Sequence, residues 1–188
     1  CNRTLVHATD EAVLLNEICR LVVEVGDYRL AWVGLAERDE AKTVRPVGQA
    51  GYEAGYLESA QITWADDERG RGPTGTAIRT GFPVVARNLL TDSHYAPWRA
   101  EALERGYVSS IALPLRLEGQ ILGALNIYAA EPNAFVAEEI QLLADLADDV
   151  AYGLSALRLR AERKQAEAEL RQSEERLTMA LSAAHAGA

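Results

Sequence analysis

From Thr9 to Val25 apolar residues return at helical spacing, at Ala12, Leu15, Ile18, Cys19 and Val22, which predicts an amphipathic helix. Thr9 or Asp10 is placed to cap its start and Gly26-Asp27 to stop it. Tyr28 to Glu37 has the aromatic and aliphatic density of a central strand. Asp39-Glu40 makes a turn, and Thr43 to Gly51 reads as an antiparallel partner. A polar stretch containing Trp64 leads into a glycine-rich segment, after which Thr74 to Thr80 reads as a short helix. Ala96 to Gly106 reads as another. The clearest hairpin follows: Ile111, Leu113, Leu115 and Leu117 alternate with Ala112, Pro114 and Arg116, Glu118-Gly119 turns the chain, and Ile121 to Tyr128 returns. Pro114 suits an edge or a bulge better than the middle of a regular ladder.

Beyond Pro132 no proline occurs, and only Gly153 and Gly187 interrupt the helix formers. Ala137 to Ser182 reads as one helix, longer than a domain of this size covers. Leu143, Ala147, Val150, Leu154, Leu157 and Ala161 keep the alternating four-three spacing of a coiled-coil seam. Continuing that frame gives Lys164, Ala168, Arg171 and Glu175, which is no seam, while a second frame runs through Ala166, Leu170, Ser173, Leu177 and Ala180. The packing is therefore expected to change near Lys164. Charge pairs such as Arg163–Glu167 and Arg171–Glu175 support the exposed faces, at tenths of a kcal/mol each. Pairing in a parallel dimer is the expected stabiliser.

Composition sharpens this division. Of 188 residues 48% are hydrophobic, enough for a core, and the net charge of −9 argues against nucleic acid or an anionic membrane as partner. Yet Arg158 to Leu177 holds six basic and five acidic residues, and no Phe, Trp or Tyr follows Tyr152. The end of the chain is different material from its body. The expected organisation is one domain over 1–157 and a linker helix over 158–188. No apolar run reaches the length of a membrane span and no signal-peptide core is present, so no membrane insertion is expected. A start at Cys1 fits a segment of a longer protein. Two cysteines make neither a disulfide framework nor a zinc pattern, and despite an Asn2-Arg3-Thr4 sequon the expected location is cytoplasmic.

Gly70-Arg71-Gly72-Pro73-Thr74-Gly75 satisfies G-x-G-x-x-G, but the acidic Asp66-Asp67-Glu68 before it is no buried strand and the P-loop lysine is missing. The string then reads as a turn into a short helix, whose free N–H groups can face an anion or a polar ligand. His7, His94 and His185 lie far apart and form no metal-ligand spacing, and no nucleophile motif occurs. No catalytic and no metal residues are assigned. His94 stands in a mixed polar and aromatic cluster with Asp92, Ser93, Tyr95 and Trp98. That suits a pocket wall or a surface loop.

The run Gly72-Pro73-Thr74-Gly75-Thr76-Ala77-Ile78-Arg79-Thr80-Gly81-Phe82-Pro83-Val84-Val85 resembles the glycine turn, short helix and Pro-Val strand of GAF domains, the small-molecule-sensing modules of signalling proteins. Asn88 to Asp92, the hairpin Ser109–Leu115 with Gly119–Leu125, and Phe135 to Leu143 are similar to further parts of that family. The resemblance covers about residues 8 to 157. Ser173 to Ala184 is similar to the opening of a PAS domain. The resemblance implies an α+β fold with a central antiparallel sheet of about six strands. N- and C-terminal helices pack on one face, a ligand pocket lies on the other, and an extended C-terminal helix follows.

The same resemblance implies a non-catalytic bacterial sensor that signals through a dimeric helix to a PAS or output domain. Homodimer contacts are expected from the N- and C-terminal helices. The ligand-binding candidates are Trp32, Trp64, Thr76, Arg79, His94, Trp98, Ser110 and Asn126, with Arg79 pairing an anionic group and the tryptophans forming apolar walls. The small-molecule ligand itself is unassigned, and no cofactor is named. Cyclic-nucleotide members carry Asn-Lys…Phe-x-x-x-Asp-Glu, where this chain has Asn126-Ile127 and Phe135…Glu139-Ile140. Bilin attachment and methionine-sulfoxide reduction need pocket cysteines, and none follows Cys19. The alternatives are a ligand-free dimerisation spacer and, behind it, a reductase-type enzyme.

Overall fold

The computed structural model describes residues 11–186, with side chains through Leu177 and at Met179. Cys1, the sequon, His7, the Thr9/Asp10 cap and the side chain of His185 lie outside the described residues. The chain divides into two units, Cys1–Gly153 and Leu154–Ala188.

In the first unit α1 (Glu11–Gly26) leads into β1 (Leu30–Ala36) and β2 (Val44–Gly51). A five-residue helix α2 (Tyr56–Ala60), α3 (Pro73–Thr80) and the short β3 (Val84–Ala86) follow. A 3-10 turn over Ser93–Trp98 runs into α4 (Arg99–Glu104), so the helix expected over Ala96–Gly106 is two shorter pieces. The hairpin β4 (Ser109–Leu117) and β5 (Gln120–Ala129) comes next, and then α5 (Ala137–Ala186). The strands form one antiparallel five-stranded sheet in the order β2-β1-β5-β4-β3. Where about six strands were expected, the sixth position is a single bridge between Thr43 and Thr63.

Pro114 fits because of this order. β3 pairs with β4 only as far as Ala112, so the N–H that proline lacks would have pointed past the end of β3. On its other side Pro114 stands opposite Ala124, and the bulge lies one step on, between Leu115 and Arg116. Glu118 and Gly119 both take positive φ, at 48° and 79°, as a two-residue hairpin turn requires.

Alternation along the central strands sorts the side chains into two layers. Ala31, Val33 and Leu35 of β1, Ile111, Leu113 and Leu115 of β4, and Leu125 and Ile127 of β5 are buried on one face. α1 packs on β1 and β2 and buries Leu14, Leu15, Ile18, Cys19 and Val22. The start of α5 adds Leu143, Ala144, Ala147 and Val150, and Arg116 holds it with a two-pronged pair to Asp148. The alternate residues Leu30, Trp32, Ala124 and Tyr128 join Tyr56, Tyr95, Trp98 and Tyr107 in a second buried cluster. α1 covers one face, and short helices and aromatic loops cover the other.

One expectation changes here. Leu143, Ala147 and Val150, read as the opening of a dimer seam, are fully or nearly fully buried within this unit. A four-three period reports only that a helix face is apolar, and here the unit's own core takes that face. In the second unit α5 is helical throughout, and Leu159, Leu170, Leu177 and Met179 are exposed. No described helix is long and apolar enough to cross a membrane.

Candidate functional site

Three adjacent strands build the floor on the face away from α1. Trp32 of β1 stands opposite Asn126 of β5, which stands opposite Ala112 of β4, and the next row is Leu30, Tyr128 and Ser110. The Trp32 ring lies over Gly34, where a Cβ would come within 2.5 Å of its Cζ3. Asn126 is 2% exposed; its Oδ1 accepts a hydrogen bond from Thr74 Oγ1 at 2.8 Å, and its Nδ2 donates to the Ala124 carbonyl at 3.2 Å. Two buried polar atoms on this floor, Trp32 Nε1 and Ser110 Oγ, have no hydrogen-bond partner. Such orphans cost about 1–3 kcal/mol each.

The roof is tyrosine-rich. Tyr56 and Tyr95 share a hydrogen bond between their hydroxyls at 2.6 Å. Tyr107 donates to the Tyr52 carbonyl. The rings of Tyr56, Tyr107 and Tyr128 pack together, with centroids 4.9–5.7 Å apart. Burial pushes the phenols of Tyr56, Tyr95 and Tyr107 well up, because a phenolate would lose its hydration. They act as neutral hydroxyls. Trp98 Nε1 and Arg69 Nη1 both donate to the Ala60 carbonyl, at 2.8 and 3.0 Å, which pins the end of α2. Between this roof and the start of α3 lies a cavity of about 10 Å³, bounded by Tyr56, Tyr95, Trp98, Tyr128, Thr74 and Gly75. That is space on the scale of a single water.

The glycines around the start of α3 permit close approach. A Cβ at Gly70 would overlap the Ala65 carbonyl oxygen, and one at Gly72 would stand 2.5 Å from Trp98 Cζ3. A Cβ at Gly75 would come 2.6 Å from the Thr63 carbonyl oxygen and nearer still to that of Gly70. Arg79 closes the same loop from the other side. Its Nη1 donates to the carbonyls of Trp64, Ala65 and Gly70 at 3.1, 2.8 and 2.6 Å.

The eight sequence candidates therefore fall into separate groups. Trp32, Ser110 and Asn126 share the floor, and Trp98 belongs to the roof. Trp64 and Arg79 line an outer cleft, with Trp64 Nε1 donating to the Glu37 carbonyl at 2.8 Å. Thr76 is half-buried and donates to the Arg71 carbonyl at 3.1 Å. His94 is exposed, its Nδ1 3.4 Å from Asp92 Oδ1. Cys19 is buried on α1, and burial raises its thiol to about 12. Among the described residues no group of three or more His, Cys, Asp and Glu side chains is placed to hold a metal ion.

The family model of the GAF domain matches residues 8–155. The chain belongs to the GAF domain family. Solved structures agree in fold. The GAF domain of a phosphoenolpyruvate-protein phosphotransferase from Coxiella burnetii is 17% identical, with a TM-score of 0.72, covering 86% of this chain and 92% of that one. A free methionine-R-sulfoxide reductase from Neisseria meningitidis, solved with its substrate, is 19% identical, with a TM-score of 0.70 and coverage of 84% and 86%. The GAF-B domain of DevS from Mycobacterium smegmatis is 19% identical, with a TM-score of 0.59 and coverage of 84% and 99%. No curated protein sequence matches the chain.

Within this GAF domain, sequence reasoning passed over Thr74 and the roof tyrosines as site residues. Tyr128 was within reach, since it lies two residues beyond Asn126 on the same strand and so on the same face. Tyr56 and Tyr107 had no such signal, because they stand outside the strands and converge only in three dimensions.

Proposed function

We propose that this GAF domain is a non-catalytic small-molecule sensor of a cytoplasmic bacterial signalling protein, which passes its ligand state through a dimeric C-terminal helix to a following PAS or output domain. One observation carries the ligand reading: Trp32 Nε1 and Ser110 Oγ are buried without partners on the floor that Asn126 and Tyr128 share. A ligand that pairs them recovers a cost the ligand-free domain bears. Sensing then requires that the ligand bind the two signalling states with different affinity.

Ser110→Ala separates this reading from its rival. Without ligand the substitution is expected to stabilise the domain by about 1 kcal/mol, since it removes an unpaired buried hydroxyl. With the natural ligand bound, the sign reverses. Urea denaturation before and after native mass spectrometry of co-purified material checks both. A gain in stability under every condition, with no small molecule retained, would support the ligand-free spacer, which the small cavity favours.

The dimer reading rests on the second unit. Exposed Leu170 and Leu177 fall in the frame that Ala166 and Ser173 complete. Leu170→Glu with Leu177→Glu is expected to weaken self-association at least 100-fold, about 2.7 kcal/mol. Sedimentation velocity over a concentration series measures it, and unchanged association would place the dimer contact elsewhere.

A further inference from the structure

The cleft outside the aromatic roof differs from the inner cavity in size and in charge. It measures about 520 Å³, within the range of about 300–1,000 Å³ usual for ligand pockets. Ala36, Ile78, Trp64 and Ile121 give it an apolar lining, continuous with the buried cluster on that face of the sheet. Its rim carries Arg38, Asp39 and Lys42 from the β1–β2 turn and Arg79 from α3. In a chain of net charge −9, three cations against one carboxylate is a local reversal of sign.

The four charges are not equally free. Arg79 is engaged by three carbonyls. Asp39 is engaged by Thr43, with Oδ1 accepting from the backbone N–H at 2.9 Å and Oδ2 from the hydroxyl at 2.6 Å. The nearby Asp66 is paired with Arg71 at 3.0 Å. Arg38 has no hydrogen bond or ion pair among the described residues, and Lys42 holds its Nζ 4.9 Å from the centre of the Trp64 ring, near enough to Asp66 for its charge to act on that carboxylate. Lys42 also takes a φ of 50°, a backbone position that suits Gly or Asn better than a long side chain. Its backbone is fixed there: the N–H donates to the Asp39 carbonyl, and its own carbonyl accepts from Trp64 N–H at 2.8 Å. A lysine held in this conformation presents its ammonium at an aromatic wall.

We propose that this cleft binds a small organic anion with a flat apolar body, of the aromatic carboxylate class, whose charged end pairs with Arg38 and Lys42 while its body lies against Trp64, Ile78 and Ile121. The assignment goes beyond the sensor reading, which rests on the inner floor at Trp32 and Ser110, and names a second site with its own ligand class.

Isothermal titration of the full chain with 2-naphthoate and with uncharged 2-naphthamide tests it. Naphthoate is expected to bind at least tenfold more tightly than the amide. Arg38→Ala and Lys42→Gly are each expected to weaken it about tenfold, while the thermal midpoint of Lys42→Gly stays at or above the parent's because glycine is at ease at that φ. Absent naphthoate binding, equal binding of the amide, or affinity unmoved by both substitutions would each overturn the assignment. The two readings fail differently. A co-purified ligand whose affinity depends on Ser110, beside absent naphthoate binding, would keep the sensor and refute the cleft. Charge-dependent naphthoate binding, with no co-purified small molecule and a Ser110→Ala gain in stability under every condition, would keep the cleft and refute the sensor.

Discussion

Gly75→Ala should destabilise the domain by about 3 kcal/mol, at the upper end of what overpacking costs. The added Cβ would meet two backbone carbonyl oxygens, those of Gly70 and Thr63, and neither is the tip of a side chain that can swing away. Thr63 is tied to Thr43 by its bridge, and Gly70 is tied to Arg79 by a 2.6 Å hydrogen bond, so relief at one point breaks a bond at another. Gly55→Ala is the control. Gly55 takes a φ of 77°, and nothing lies within 4 Å of the place a Cβ would occupy, so alanine there carries only left-handed strain, about 1–2 kcal/mol. Urea denaturation with slope and midpoint compared across the two variants decides the matter. If Gly75→Ala cost no more than Gly55→Ala, the loop would be free to shift and the glycine would matter only for its backbone freedom.

That contrast shows what was legible in the sequence. The strands and the closing hairpin were readable because alternation is a local signal, and the register then placed Trp32, Ser110 and Asn126 on one face. α2 was not readable. Five residues hold less than two turns, and its ends are set by left-handed Gly55 and Gln61 and not by a period. On the 3-10 turn, His94 faces solvent while its neighbour Tyr95 is buried, and so short a turn gives no phase from which to choose between them. The glycine string was visible as a motif. Its meaning lay in Ala65, Thr63 and Trp98, partners that sequence order does not reveal. The helix seam had the opposite problem: its period was clear, but a period cannot say whether the unit's own core or a second chain covers it.

Arg79 carries a structural role that its place in the sequence does not reveal. It was expected to pair an anionic ligand, and it does reach the cleft. Its guanidinium nevertheless spends its donors on the carbonyls of Trp64, Ala65 and Gly70. Arg79→Met should therefore destabilise the domain by about 3 kcal/mol, because three half-buried acceptors lose a charged donor at once. Arg79→Lys should recover only part of this loss, since the lysine nitrogen stands one bond nearer the backbone than the Nη1 that reaches all three carbonyls. Arg38→Ala, at an exposed side chain without a partner, should stay within about 0.5 kcal/mol of the parent. Combined with Gly75→Ala, Arg79→Met should cost less than the sum of the two, because both act through the Gly70 carbonyl. Chemical denaturation of the two single variants and the pair measures the coupling. Strict additivity, or an Arg79→Met effect as small as that of Arg38→Ala, would release the guanidinium from the loop and return it to the ligand.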